Sequence, residues 1–251
     1  MRHLLGWIRL VALWLALMPA GWASTQLIYG GDHLSMTAGL TQYHALMANA
    51  GGNWSTTESF HETYVSTGGS LSALRIELDG SPDNGAGTQS YTFTLRLDTG
   101  SGFGATSLTC AISETETTCT DLVNSVSVSA GNLVTLQQVP GNTPAGLREA
   151  TWVLQFDSTT STESLLMASN TSTTDNSGTV FHGVMGHTAA SEGTETDAQQ
   201  VMAVAGALKT FYVKLSAAPG TAGSGRAFDM TVMVNAVATS ITCQIFETAT
   251  T

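Results

Sequence analysis

Apolar and polar residues alternate along much of this chain. In residues 91–97 every second position is apolar: Tyr91, Phe93, Leu95 and Leu97. A period of two places one set of side chains on a buried face and the other set in water, as in a half-exposed β-strand. The same alternation recurs at 74–78, 211–215 and 228–234. The pattern therefore predicts β-strands over these four segments.

Clusters of Gly, Pro, Asn and Asp separate the predicted strands, most densely at 79–85 (DGSPDNG) and 219–225 (PGTAGSG). Further short apolar segments predict strands at 126–128, 133–139 and 152–156, whereas residues 41–50 suggest a helical turn. Many short strands bounded by turn residues are typical of sandwiches and jelly rolls. We therefore expect an all-β fold of antiparallel, jelly-roll-like β-sandwiches.

The chain contains an internal repeat. Residues 105–118 (ATSLTCAISETETT) return as residues 238–251 (ATSITCQIFETATT), with only four of fourteen positions changed. Upstream, residues 90–97 correspond to 227–234, and shorter matching blocks keep the same order. A period of about 135 residues has the size of a whole domain and not of a solenoid unit.

The repeat divides the chain into two tandem copies of one β-sandwich domain. We place copy one at residues 24–157, a Ser/Thr linker at 158–162 and copy two at 163–251. Copy two lacks counterparts of the predicted strands at 126–128, 133–139 and 152–156. Each buried apolar side chain is worth on the order of 1.5–3 kcal/mol, against a net domain stability of about 5–15 kcal/mol. We therefore expect copy two, as written, to be C-terminally truncated and unstable by itself.

Three explanations of the incomplete copy are open. The sequence could be a fragment of a longer reading frame. Strands from another chain could complete copy two, in a donor-strand arrangement that builds a filament. Copy two could also have become a smaller sheet that packs on copy one.

The three cysteines follow the repeat. Cys110 and Cys119 flank a polar stretch of copy one, and a secreted chain permits disulfides, so we expect a bond between them. The alternative is two reduced, half-buried strand cysteines. Cys243 occupies the position of Cys110 in copy two, where the counterpart of Cys119 would fall one residue beyond Thr251. We therefore expect Cys243 to be an unpaired thiol.

Residues 1–23 have the composition of a signal peptide. Arg2 and Arg9 precede an apolar segment at 10–18, which is shorter than the roughly 20 residues of a membrane-spanning helix. Pro19 then ends the segment, and Ala23 supplies the small residue before a cleavage site. We expect a secreted or cell-surface protein with no membrane span after cleavage; an uncleaved anchor is the alternative.

The charge balance excludes some partners. Only 11% of the residues are charged, and the net charge is −11. Phosphate contacts require clustered Lys or Arg, so we expect no binding to nucleic acid or to an anionic membrane surface.

The sequence contains no motif of a known catalytic centre: no nucleophile elbow, phosphate loop, zinc-spaced Cys/His set or HExxH helix. We therefore assign no catalytic residue and no metal. His182 and His187 could share a metal, but copy one has Asn49 in place of His187, so structural roles are favoured. Glu114 and Glu116 share one loop, which does not supply the fixed separation that a glycosidase carboxylate pair requires.

A ligand site remains conceivable at two places. Asp79 and Asp83, together with Asn84 and Asp98, could offer oxygen atoms to Ca²⁺. Their presence in turns is equally explained by the turn-forming preference of Asx residues. Trp54 lies in a polar loop and could be a platform for a sugar ring, or it could be partly buried beneath that loop.

Two segments of copy one resemble a known family. The strand YTFTL at 91–95 and the segment VSVSAGNLVTL at 126–136 are similar to the tumour-necrosis-factor/complement-type globular-head jelly roll, including its bacterial and phage versions. Those heads carry a Y-x-F strand and a later AGD-x-V-x-L stretch. Asn132 replaces the usual Asp, and no collagen-like stalk precedes the domain. The resemblance implies trimeric assembly and a surface, fibre or adhesive role, without catalytic residues.

Two functional hypotheses follow. The first is a non-enzymatic structural or adhesive protein of a cell surface, appendage or virion, self-associated as a trimer or as a strand-complemented filament. The second is an extracellular module that binds a surface glycan or another ligand, with calcium as the cofactor, through Trp54, Asp79 and Asp83.

Overall fold

The structure is a computed structural model that describes residues 24–32, 36–47, 53–170, 178–188 and 192–251, without the side chains of Asn170, His187 and Thr188. The predicted signal peptide at residues 1–23 lies outside the described residues. No helix in the described ranges is long and apolar enough to cross a bilayer.

Copy one is built from short antiparallel strands and one 3₁₀ turn at Glu58–Phe60. The strands are β1 (Thr25–Gly31), β2 (Gln42–His44), β3 (Thr63–Tyr64), β4 (Gly69–Leu78), β5 (Ser90–Asp98), β6 (Phe103–Ser113), β7 (Thr118–Val128), β8 (Leu133–Gly141) and β9 (Ala150–Ser158). The predicted strands at 74–78, 91–97, 126–128, 133–139 and 152–156 all lie within these elements. Each of these segments forms a strand as predicted, and each strand is hydrogen-bonded to at least one neighbouring strand.

The strands form two sheets. One has the order β1-β9-β4-β7, and the other has the order β2-β8-β5-β6, with β3 also paired to β8. When β2 and β3 are taken as one position, consecutive strands alternate between the sheets except at the β5–β6 hairpin, which lies within one sheet. This is the double Greek-key order of a jelly roll. The prediction of an all-β antiparallel sandwich is confirmed.

The core lies between the two sheets. Tyr91, Phe93 and Leu95 of β5 are fully buried, and they belong to the same core as Leu154 and Phe156 of β9. Residues 42–44 do not form the suggested helical turn, since they pair with β8 as β2 and bury Gln42 and His44. Residues 48–50 of that prediction lie outside the described residues.

The core of copy one extends beyond the predicted linker at 158–162. Ser158 is the last residue of β9, and Leu165 and Met167 are buried in the same core. The side-chain amide of Gln26 holds this segment: its Nε2 donates to the carbonyl of Leu165 at 2.8 Å, and its Oε1 accepts the N–H of Leu165 at 2.7 Å. The segment up to Met167 therefore shares one hydrophobic core with the strands of copy one.

The described residues of copy two form fewer elements. They are the parallel pair β10 (Ala168–Asn170) and β11 (Gly186–Thr188), the one-turn helix α1 (Glu195–Ala198), and the antiparallel hairpin of β12 (Ala227–Val234) and β13 (Val237–Phe246). The strand predicted at 228–234 is confirmed as β12.

The strand predicted at 211–215 is not formed. The segment instead lies beside copy one, where the ring of Tyr212 is 5.1 Å from the ring of Tyr64 and Lys214 forms an ion pair with Glu62. A period of two is not sufficient for a strand, because the backbone also needs a neighbouring strand, and no described strand pairs with these residues.

The repeated blocks form the same hairpin in both copies. Phe93 lies opposite Cys110 in β5–β6, and Met230 lies opposite Cys243 in β12–β13. Each hairpin has a β-bulge, and each bulge contains a threonine, Thr106 or Thr239, whose hydroxyl donates to the facing strand at 2.7 Å. Sequence identity between the blocks therefore extends to backbone geometry.

Candidate functional site

A disulfide closes one edge of the sandwich. Cys110 on β6 and Cys119 on β7 are bonded, with their Cα atoms 5.7 Å apart. Because β6 and β7 belong to different sheets, the bond joins the two layers. The predicted disulfide is confirmed.

Cys243 is a free, half-buried thiol in β13, as predicted. Its Sγ lies 3.7 Å from the Sδ of Met230. Burial raises the pKa of the Cys243 thiol, which disfavours the reactive thiolate.

Beside the disulfide, β7 carries a protruding bulge. Ser72 of β4 pairs with Ser125, but Leu74 pairs with Asp121, so residues 122–124 have no partner on β4. Leu122 and Val123 point into solvent, and Val123 is 93% exposed. We call residues 122–124 the β7 bulge.

Asp121 holds the β7 bulge in shape. Its Oδ1 accepts the N–H of Val123 at 3.2 Å and the N–H of Asn124 at 3.1 Å, and its Oδ2 accepts the N–H of Thr109 at 3.0 Å. Burial of the Asp121 carboxyl opposes its ionisation, but these hydrogen bonds and the Asn124 side chain outweigh burial and lower its pKa. These hydrogen bonds therefore hold the backbone of the β7 bulge in one conformation, with the side chains of Leu122 and Val123 exposed.

The opposite edge of the same sheet also exposes apolar side chains. Leu27 and Tyr29 of β1 are 50% and 60% exposed on the outer face. Their cross-strand neighbours on β9 are Gln155 and Val153. We call Leu27, Tyr29 and Val153 the β1 patch. Adjacent exposed apolar residues of this kind mark interaction surfaces more often than isolated ones do.

Trp54 does not lie on the surface, as a sugar platform requires. It is only 6% exposed, and its ring lies 5.3 Å from His44, 5.8 Å from Trp152 and 6.2 Å from Phe93, measured between centroids. Its polar neighbours in sequence indicated a loop correctly, but the ring turns inward and fills the core. His44 is buried in the same cluster.

The candidate calcium ligands bind backbone groups. Asp79 Oδ1 accepts the N–H of Glu149 at 3.0 Å, and Asp83 Oδ1 accepts the N–H of Gly85 at 2.7 Å. Asn84 Oδ1 likewise accepts the N–H of Ala86 at 3.1 Å. The bonds of Asp83 and Asn84 are the local turn bonds that Asx residues form without a metal, whereas the Asp79 bond joins two segments that are 70 residues apart.

Asp98 caps a turn in the same way. Its Oδ1 accepts the N–H groups of Gly100 and Gly102 at 2.7 and 2.8 Å, and these bonds lower the pKa of its carboxyl. Across the described ranges, no group of three or more His, Cys, Asp or Glu side chains is arranged to hold a metal ion. The side chain of His187 and the whole of Asn49 lie outside the described residues.

Glu114 and Glu116 are exposed in the β6–β7 turn. Glu114 adopts a positive φ of 51°, and its counterpart Glu247 has a φ of 50°. The repeated glutamate therefore marks a repeated turn conformation.

A polar network on the outer face of the second sheet was not predicted. Arg96 Nε donates to Glu58 Oε1 at 2.6 Å, and the same oxygen accepts the Thr135 hydroxyl at 2.8 Å. The Arg96 guanidinium also lies 5.7 Å from the centre of the Tyr43 ring. These residues are far apart in sequence, so no local pattern reveals the network. It fixes the 3₁₀ turn to the sheet.

The fold and these features define a disulfide-linked jelly-roll sandwich followed by a second copy of its β5–β6 hairpin. The chain matches no known protein-family model, and a search of curated proteins found no match. The inference of function therefore rests on the chain's own residues.

Proposed function

We propose that this protein is a secreted, non-enzymatic structural or adhesive module that self-associates on a cell surface, appendage or virion. The observation that carries the proposal is the pair of exposed apolar features at the two edges of one sheet. The β1 patch lies at one edge, and the β7 bulge lies at the other.

This placement supports head-to-tail association. A bulge and a patch on opposite edges cannot meet within one molecule, but the bulge of one copy can contact the patch of the next. Such heterologous contacts close into a ring when the rotation permits. A trimer is the ring that the resemblance to tumour-necrosis-factor/complement-type heads implies.

The chemistry of the described residues supports a non-catalytic role. Asp83 and Asp98 accept N–H groups of their own turns, and Asp79 accepts the N–H of the distant Glu149. Arg96 and Glu58 are committed to a structural ion pair. A low charge fraction and a disulfide suit a stable extracellular module.

No observation of comparable weight favours the ligand-binding alternative, since Trp54 is buried. A glycan array read with and without a calcium chelator tests it directly. Calcium-dependent binding to a defined glycan would support that alternative over a purely structural role.

Sedimentation velocity of the secreted protein tests the self-association proposal. We expect the wild type to sediment with three times the mass of one chain. Tyr29→Lys in the β1 patch and Val123→Lys in the β7 bulge should each shift the protein to monomer, because a buried unpaired charge is costly at an interface.

Ser59→Lys is the matched control. Ser59 is exposed in the 3₁₀ turn, which Glu58 fixes to Arg96 and Thr135 on the outer face of the second sheet. Because β1 and β7 belong to the other sheet, this variant should keep the wild-type mass. A monomeric wild type, or variants that all sediment alike, would refute the proposal.

A further inference from the structure

We propose that the free edge of β12 in copy two is a strand-acceptor site, which a partner protein fills with an extended segment of the β8 type. This inference deepens the proposed structural function, because it names a second assembly surface and the chemistry of its partner. It is carried by the comparison of the two copies within this one chain.

The acceptor hairpin has a template in copy one. β12 and β13 reproduce β5 and β6 in pairing, in the position of the bulge and in the turn that follows. The turn bonds also correspond: the N–H of Glu114 donates to the carbonyl of Gln89 at 2.8 Å, and the N–H of Glu247 donates to the carbonyl of Arg226 at 2.8 Å. The free edge of β12 therefore has the backbone geometry of the equivalent edge of β5.

In copy one that edge is occupied. β8 pairs with β5 along its whole length, from Ser90 opposite Gly141 to Asp98 opposite Leu133. In copy two, β12 belongs to a sheet of two strands, and no other described strand pairs with it. An unpaired strand edge presents a row of backbone donors and acceptors to another chain.

The side chains specify the occupant further. Phe93, Leu95 and Leu97 of β5 lie opposite Gln138, Leu136 and Val134 of β8. The repeat places Met230, Val232 and Val234 at the corresponding positions of β12. The matching partner segment therefore runs antiparallel to β12 and presents aliphatic residues opposite Val232 and Val234.

Apolar residues upstream of β12 also indicate that copy two has an apolar surface without a packing partner among the described residues. Phe211 and Val213 occupy the repeat positions of Leu74 and Ile76, which are buried in copy one. Phe211 and Val234 are substantially exposed here. Sequence positions that form a core in copy one have thus kept their apolar character in copy two.

A peptide with the sequence of residues 131–141 is the probe, added to the full-length protein and followed by amide hydrogen exchange. At saturating peptide we expect the β12 amides that do not bond to β13 to exchange at least tenfold more slowly. The matched control is the same peptide methylated on alternate backbone nitrogens, which keeps every side chain but cannot pair with a strand edge. It should give no protection.

The proposal would be overturned by an absence of protection at β12, by equal protection from the methylated peptide, or by protection of β5 in place of β12. Pairing of β12 with β12 of a second copy, seen as protection that depends on protein concentration without peptide, would also overturn it. The Tyr29→Lys and Val123→Lys experiments test the β1 patch and the β7 bulge of copy one, not the edge of β12. The acceptor site can therefore fail while the self-association proposal stands, and the reverse also holds.

Discussion

At the scale of single residues, a carboxylate gives the β7 bulge its shape. The hydrogen bonds to Asp121 keep its folded-state pKa below the ordinary value of 3.8. A lowered pKa contributes stability at pH values above 3.8, and that stability is lost as the pH falls through the folded pKa.

We therefore predict that the free energy of unfolding of the wild type falls more steeply between pH 5 and pH 2 than that of Asp121→Asn. Urea denaturation at a series of pH values measures both slopes. Equal slopes would show that Asp121 does not couple ionisation to folding.

A glycine on β1 permits close packing of a core tryptophan. A Cβ atom at Gly30 would lie 2.2 Å from the indole of Trp152, whose Nε1 donates to the carbonyl of Leu46 at 2.7 Å. Gly30→Ala should therefore lower the free energy of unfolding by about 1–3 kcal/mol, as overpacking does.

Gly39→Ala is the control, since no atom lies within 4 Å of a Cβ at Gly39. Its effect should stay within about 0.5 kcal/mol. If chemical denaturation gave the two variants equal stability, the packing of Trp152 against Gly30 would be wrong.

At the scale of elements, the disulfide between β6 and β7 links the two sheets. In the chain-entropy model a bond that closes so short a loop contributes roughly 2–3 kcal/mol. We expect the double variant Cys110→Ala, Cys119→Ala to lose about that much stability in urea denaturation.

The control is Cys243→Ala, because Cys243 occupies the repeat position of Cys110 but forms no disulfide. It should cost about 1 kcal/mol or less. A loss as large as that of the double variant would mean that the disulfide adds little to the stability of copy one.

Elements were predictable from sequence where local pattern decides them. Tyr91, Phe93 and Leu95 alternate with polar residues, and β5 forms as expected. Residues 211–215 alternate equally well, but no described strand pairs with them, because pairing depends on distant residues. The β7 bulge depends on the register against β4, where Ala73 adopts a φ of 53°, and nothing in the sequence around Val123 reveals that register.

The candidate sites show the same division. The bond between Cys110 and Cys119 was predicted because the two cysteines flank a short polar stretch in a chain that begins like a secreted protein. The inward turn of Trp54 does not, because its neighbours in sequence are polar and its contacts come from β5 and β9. The β1 patch was missed, since Leu27 and Tyr29 look like ordinary strand residues until the sheet shows which face is covered.

At the scale of the whole molecule, copy one is the sandwich with the complete set of strands, and its core ends later than the repeat suggests. Leu165 and Met167 are both buried in it. A chain of residues 24–167 should therefore exceed a chain of residues 24–157 in stability by roughly 3–6 kcal/mol, at about 1.5–3 kcal/mol for each buried side chain. Urea denaturation of the two chains measures the difference, and equal stabilities would place these side chains outside the core.

The central claim is that copies of this protein join through the β1 patch and the β7 bulge. The most direct measurement replaces Leu27 with a photo-crosslinking amino acid and maps the adducts of the irradiated, full-length protein by mass spectrometry. The account predicts adducts between position 27 of one copy and residues 118–128 of another, with none from the same crosslinker at the exposed Ser59 of the 3₁₀ turn. An absence of intermolecular adducts at position 27, or equal yields at positions 27 and 59, would contradict it.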